Sequence, residues 1–107
     1  MGVFFERYKY RKDIFTMLNV GFDNYISLEY VRAICGNTNA APIKKHLNVM
    51  KTNYPTNVVD FTNGNALKSI VYLTDGSLAL SSIASKTLKE RYTTAKLEEK
   101  NPIRKEN

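Results

Sequence analysis

A chain of 107 residues, 43% apolar and 24% charged, suits one folded soluble domain and is too short for two separate cores. Its net charge of +6 favours polyanionic partners without requiring one. No apolar run approaches the roughly 18 residues that span a bilayer, and the single cysteine excludes an internal disulfide or a thiolate metal cluster within one chain.

Residues 1–16 place Phe4 and Phe5 ahead of a charged run from Glu6 to Lys12, the wrong order for a secretion signal. Met1-Gly2 opens like an acylation site, but Glu6 stands where that motif needs Ser or Thr. The expected address is the cytoplasm, with no membrane partner. Alternating Arg7, Tyr8, Lys9, Tyr10 and Arg11 could pair phosphate contact with base stacking, or simply form a loosely ordered extension.

From Met17 the chain reads as short strands separated by turn residues. Met17 to Val20 and Tyr25 to Ser27 flank Gly21-Phe22-Asp23-Asn24, a tight turn in which glycine supplies a positive φ. Tyr30 to Cys35 predicts a third strand, broken by Gly36-Asn37-Thr38-Asn39. Thr38 or Asn39 is the expected cap of a helix over about 41–53 with Pro42 in its first turn. Its stripe of Ile43, Leu47, Met50 and Tyr54 should face a sheet, leaving Lys44, Asn48 and Lys51 on the polar side with Lys45 beside them. Tyr54-Pro55 ends it.

Val58 to Thr62 and Leu67 to Leu73 flank Asn63-Gly64, the strongest two-residue hairpin signal, and Asp75-Gly76 marks a second hairpin into Ser77 to Ser81. Three antiparallel strands in series follow. Leu67, Val71 and Leu73 are expected on one face, Ile70 and Tyr72 on the other. Both faces are then apolar. The one that the helix leaves bare needs a second subunit, the N-terminal arm or the last helix as cover. Ser82 or Ser85 is expected to cap a short final helix through Leu88 and Tyr92. The expected architecture is α+β: a small antiparallel sheet, one amphipathic helix packed on it and a short C-terminal helix. Residues 1–16 form a basic aromatic extension, 17–92 the domain, and 93–107 a charged tail.

Signatures of catalysis are missing. The chain carries no G-x-x-x-x-G-K, G-x-G-x-x-G, H-E-x-x-H or C-x-x-C run. Asp23, Asp60 and Asp75 lie on separate turns and strands and do not make a carboxylate pair. Ser81, Ser82 and Ser85 have no partner base and are better explained by capping. Cys35 reads as a small buried hydrophobe in the run 31–35, and His46 lacks a second ligand. The expectation is a binding protein, not an enzyme, with no cofactor, no metal and no small-molecule substrate.

Four stretches carry a resemblance. The first is Leu18-Asn19-Val20-Gly21-Phe22-Asp23-Asn24-Tyr25-Ile26-Ser27, followed by Ala41-Pro42-Ile43-Lys44-Lys45. Then come Val59-Asp60-Phe61-Thr62-Asn63-Gly64-Asn65-Ala66-Leu67-Lys68-Ser69-Ile70-Val71 and Thr87-Leu88-Lys89-Glu90-Arg91. In one order from Met17 to about Arg91, with one apparent insertion near Asn39-Ala40, they resemble the bacterial extracellular-matrix regulator family (RemA-like proteins). The family pattern is approximately I-N-I-G-F-G-N-x-V-S, S-A-P-I-K-R, I-D-x-T-x-G-R-R-x-R-A-V-I and a T-V/L-x-x-R end. Met17 lies close to where family members begin, so residues 1–16 are either an added arm or lie ahead of the true start.

The resemblance implies a small cytoplasmic DNA-binding transcription regulator, of surface or matrix genes, that assembles into a homo-oligomeric ring. It assigns DNA contact to arginines after the hairpin glycine and to one after the N-x-V-S stretch. Position by position, the paired arginines fall on Asn65 and Ala66, and the third basic position of that loop on Lys68. The earlier arginine falls on Tyr30, with Arg32 two residues on and therefore expected on the same strand face. The basic pair of the second stretch is kept as Lys44 and Lys45. The expected DNA-binding set is therefore Arg32, Lys44, Lys45 and Lys68. Lysine meets phosphate as a point charge, whereas arginine supplies the bidentate fork for base edges, so this set favours backbone contact on double-stranded DNA. Each lysine is equally well explained as an ordinary solvated side chain.

Three phosphate contacts per subunit imply a salt slope of roughly −2.7, too weak for one copy at physiological salt, whereas a ring would repeat them along a bent duplex. Two rivals stand beside this reading. A ring-forming paralogue that has lost DNA binding, serving as a scaffold or protein-interaction module, is favoured by the missing arginine pair. Capture of an acidic protein or RNA by residues 1–16 is the other.

Overall fold

The computed structural model describes residues 16–100, so the expectations for the N-terminal arm and for the end of the tail lie outside the described residues. The chain forms strands β1 (Met17–Gly21), β2 (Asn24–Ser27) and β3 (Val31–Cys35), then helix α1 (Ala41–Asn53). Strands β4 (Val58–Asp60), β5 (Ser69–Leu73) and β6 (Leu78–Ser81) and helix α2 (Ser85–Lys100) follow. Single 3-10 turns at Leu28–Tyr30 and Pro55–Asn57 link β2 to β3 and α1 to β4. The class is α+β, as expected, but with two sheets: β1 and β2 pair by themselves, and the other four lie in the order β3-β5-β6-β4.

β1 and β2 make a two-residue hairpin closed by Gly21 opposite Asn24. Phe22 and Asp23, at φ 53° and 60°, occupy its two central positions, which is the twist that suits a right-handed hairpin. Positive φ is thus not confined to Gly21, at 111°, and a bulky residue such as Phe22 adopts this region at a cost of about 1–2 kcal/mol.

The larger sheet corrects the expected topology. Asn63 and Gly64 do turn, at φ 54° and 82°, and the Asn65 N–H closes onto the Thr62 carbonyl at 2.9 Å. Yet β4 does not pair with β5. It runs parallel to β6, with Val58, Val59 and Asp60 opposite Leu78, Ala79 and Leu80. Only β3, β5 and β6 are antiparallel neighbours. The reason is burial: Leu78, Ala79, Leu80 and Ser81 are each at most 3% exposed, so β6 belongs inside the sheet with a neighbour on each edge. A turn signal reports a reversal of direction; it does not choose the partner.

Both sheet faces are covered within one chain. On one side Leu47 of α1, with Ile43 and Met50 around it, packs on Ile70, Leu78 and Leu80, joined by Val58, Leu67 and Tyr72. On the other, the β1–β2 hairpin, the 3-10 turn that follows it and α2 bring Leu18, Val20, Ile26, Leu28, Leu88 and Ala95 onto Val71 and Ala79. Leu67 joins the α1 side and not Val71 and Leu73, because β5 starts only at Ser69 and strand alternation does not extend back to it. Ile70 and Val71 are fully buried, so neither face of β5 awaits a second subunit. Tyr54, expected on the buried stripe, is 56% exposed because it lies past the last turn of α1.

The helix caps also differ from expectation. Ala40 precedes α1 with no side-chain cap, and the Lys44 N–H bonds its carbonyl at 2.9 Å; Pro42 sits in the first turn as expected. At α2 the Ala84 carbonyl accepts the Leu88 N–H at 3.1 Å, which gives Ala84 the cap position instead of Ser82 or Ser85. Nor is α2 short. It continues to Lys100, through much of the expected tail, because Ala95 is buried and Lys96 reaches Glu99 at 3.1 Å.

Candidate nucleic-acid interface

Arg32 lies on edge strand β3, exposed, where the register against β5 slips between Val31 and Ala33. That slip is a bulge, which re-aims side chains. It also breaks the expected pairing of faces: Tyr30 ends the preceding 3-10 turn and does not share a strand with Arg32. Around Arg32 a cleft opens between β3 and α2, with Lys89 and Tyr92 on its far wall.

Lys44 and Lys45 project from the first half of α1, both exposed and away from the buried Leu47. Together with Asn39, Asn48, Thr52 and Asn53 they line a broad, shallow surface rich in amide and hydroxyl groups. Lys68 is exposed in the loop before β5, where its own N–H is pinned to the Ser81 carbonyl at 2.9 Å. It borders a hollow shared with Phe22, Asn65, Ala66 and Ser82.

The four candidates therefore do not form one patch on one copy. Lys44 and Lys45 share a surface on the α1 side of the sheet, Arg32 faces α2 on the other side, and Lys68 stands beside the hairpin tip. Sequence reading missed Lys89, Tyr92 and Phe22. Lys89 and Tyr92 are three apart on α2 and so share a helix face, but their position beside β3 is a tertiary fact. Phe22 did carry a local signal, a large aromatic at a tight-turn position.

Among the described residues no salt bridge joins any of the four cations to a carboxylate, and Asp60 and Asp75 are engaged in loop structure. Asp60 accepts the Thr62 hydroxyl at 2.6 Å and the Thr62 N–H at 2.8 Å, bonds that hold its carboxyl below the usual range, with Lys51 adding to the effect. Asp75 accepts the Ser77 N–H at 2.8 Å and is lowered for the same kind of reason. Asn65, where the resemblance places an arginine, donates its side-chain amide to the Thr62 carbonyl at 3.0 Å.

The remaining candidates for chemistry are otherwise occupied. His46 stacks on Tyr72 with ring centroids 6.1 Å apart and planes 21° from parallel. Burial pushes the Tyr72 hydroxyl up, and Cys35 nearby adds to it. Cys35 is half-buried, less enclosed than its apolar run suggested. Ser81 is no cap: its hydroxyl donates to the Val20 carbonyl at 2.8 Å and accepts the Ile83 N–H at 3.0 Å, tying the sheet to the β1–β2 hairpin. The Arg91 guanidinium strengthens that tie, donating to the Asn19 carbonyl at 2.9 Å. No helix among the described residues is long and apolar enough to cross a membrane.

The family model described as RemA-like, extracellular matrix regulatory protein A-like, matches residues 17–92, which runs from β1 into α2 and takes in every candidate cation. The chain belongs to this family. A curated relative from Desulfotalea psychrophila, named "Putative regulatory protein", is 29% identical over 82 residues, covering 77% of this chain and 70% of the relative. Family and relative both carry a regulatory description, so the RemA-like domain here is read as that of a regulatory protein.

Proposed function

We propose that this RemA-like protein is a cytoplasmic transcription regulator that binds double-stranded DNA as a cyclic homo-oligomer, through the backbone, without catalysis. The observation that carries the reading is the set of exposed cations, Arg32, Lys44, Lys45 and Lys68, without carboxylate partners among the described residues, in a family of regulators. Their arrangement lowers the number of phosphates one copy can reach. With Lys44 and Lys45 on one surface and the others elsewhere, a single copy meets at most two phosphates at a time, a salt slope of roughly −1.8. That is too little to hold DNA at physiological salt. Repetition around a ring supplies the missing contacts by raising the effective concentration of each successive one.

A second reading has its own support. At the two positions where the resemblance places paired arginines stand Asn65, whose amide is engaged inside its loop, and Ala66. A scaffold that keeps assembly and has lost DNA follows from that. The test is a mobility-shift titration over a salt series, paired with light scattering for mass. A slope several times that of a single copy, from a species of several copies, supports the DNA reading. Assembly with no shift, or with a flat salt response, supports the scaffold.

A further inference from the structure

The tip of the β1–β2 hairpin presents an aromatic ring that the fold does not need. Phe22 is 53% exposed and belongs to neither core cluster. It sits at a positive φ that Asn or Gly would fill better, as does Asp23 beside it. The tip is nevertheless held firmly. The Asn19 side chain accepts the Gly21 N–H at 2.9 Å, and the Asn24 side-chain amide donates to the Gly21 carbonyl at 3.0 Å. Below them Arg91 grips the Asn19 carbonyl and Ser81 the Val20 carbonyl, so the tip is fixed relative to both α2 and the larger sheet. Gly21 itself lies against Ile83, where even a Cβ would come within 3.2 Å.

The neighbours of the ring give its exposure a chemical sense. Phe22 shares an open hollow of about 390 Å³ with Asn65, Ala66, Lys68 and Ser82. A dry protein contact would surround an exposed phenyl with further apolar groups. Here the only other apolar side chain in the hollow is the methyl of Ala66, beside an ammonium, an amide and a hydroxyl. One apolar plane with one cation at its side matches the repeating unit of a nucleic acid, a flat base next to a phosphate. Apolar side chains held rigidly at a tip can enter a base step, partly unstack it and kink the duplex.

We propose that Phe22 is a wedge that enters a base step of bound double-stranded DNA while Lys68 holds the adjoining phosphate. The proposal rests on the DNA-binding reading above and deepens it: the ring would read deformability where the surviving lysines cannot read base edges. Pyrimidine–purine steps, which unstack most easily, are the preferred sites.

The test compares the wild type with Phe22→Asn, Phe22→Leu and Lys68→Ala. Asn suits the left-handed turn, so Phe22→Asn folds at least as well, which a thermal melt checks. Duplexes carry 2-aminopurine at a central TA step and a donor–acceptor dye pair at their ends. Wild-type binding should raise 2-aminopurine emission and shorten the end-to-end distance. Phe22→Asn should abolish both signals and weaken binding roughly tenfold, the loss of one stacked contact, with the salt slope unchanged. Phe22→Leu, still an apolar wedge, should keep the bend. Lys68→Ala should reduce the slope by about 0.9 for each copy engaged. If Phe22→Asn binds and bends DNA like the wild type, the wedge is refuted while DNA binding stands. If Phe22→Asn instead changes the assembly mass and leaves the bend intact, the ring is a contact between copies and the wedge is again refuted. A wild type that shifts no duplex at any salt removes the DNA reading and the wedge with it.

Discussion

Ser81→Ala removes a single oxygen, yet it should be among the most destabilising conservative changes in this chain. The hydroxyl is completely buried, donates to the Val20 carbonyl at 2.8 Å and accepts the Ile83 N–H at 3.0 Å. Val20 lies where the β1–β2 register slips between Asn19 and Gly21, so the ladder provides its carbonyl with no substitute partner. Alanine would leave one buried acceptor and one part-buried donor unsatisfied. Each such group costs about 1–3 kcal/mol, and allowing for partial relaxation the sum is about 2–4 kcal/mol. For a domain of this size that corresponds to a fall in Tm of about 10–25 °C. Urea denaturation followed by circular dichroism measures it directly. Because Ser81 links two separate sheets, hydrogen exchange should also accelerate first in 17–27. A loss below about 0.5 kcal/mol, or uniform exchange across both sheets, would refute the argument that this hydroxyl joins them.

Leu47→Ala should cost about 2–5 kcal/mol in the same denaturation assay, since Leu47 is 7% exposed and is the buried anchor of α1 on the sheet; a change under 1 kcal/mol would mean that α1 is loosely docked. Acid stability offers another check. Asp60 and Asp75 have folded-state pKa values below their unfolded ones, so the stability they contribute is present above the ordinary carboxylate range and is lost as pH falls through the folded values. The double variant Asp60→Asn/Asp75→Asn should therefore unfold with a flatter pH dependence below about pH 4 than the wild type, with an unchanged slope near neutrality. A wild-type slope retained by that variant would place the acid-sensitive groups elsewhere.

Local signals in the sequence were good guides to local structure. Period and proline placed α1 at Ala41–Asn53, and Gly21 to Asn24 and Asp75-Gly76 marked the two tight hairpins that form. What escaped was long-range. Asn63-Gly64 carries the same signal as a true hairpin, and only the burial of β6 on both faces shows why β4 goes to a different neighbour. Polar composition concealed the second half of α2, where one small buried residue, Ala95, is enough to keep the helix on the core. For the site, the type and exposure of Arg32, Lys44, Lys45 and Lys68 were legible, but not their distribution. Charge has no periodicity that reveals which loops meet, so the cleft uniting Arg32 with Lys89 and the hollow uniting Phe22 with Lys68 emerge only from the folded chain.

The parallel placement of β4 beside β6 also sets an order of events. The chain makes Val58–Asp60 before it makes the strand that will receive them, and the compact β5–β6 reversal can close without them. This margin is therefore expected to lock last and to open first. Were it to lift, Leu78–Leu80 would become an open border of apolar residues with unsatisfied amides, which a loose strand from another molecule could claim. Three residues stand between a closed barrier and a sticky one, so substitutions there should show up as precipitation before they show up as lost secondary structure.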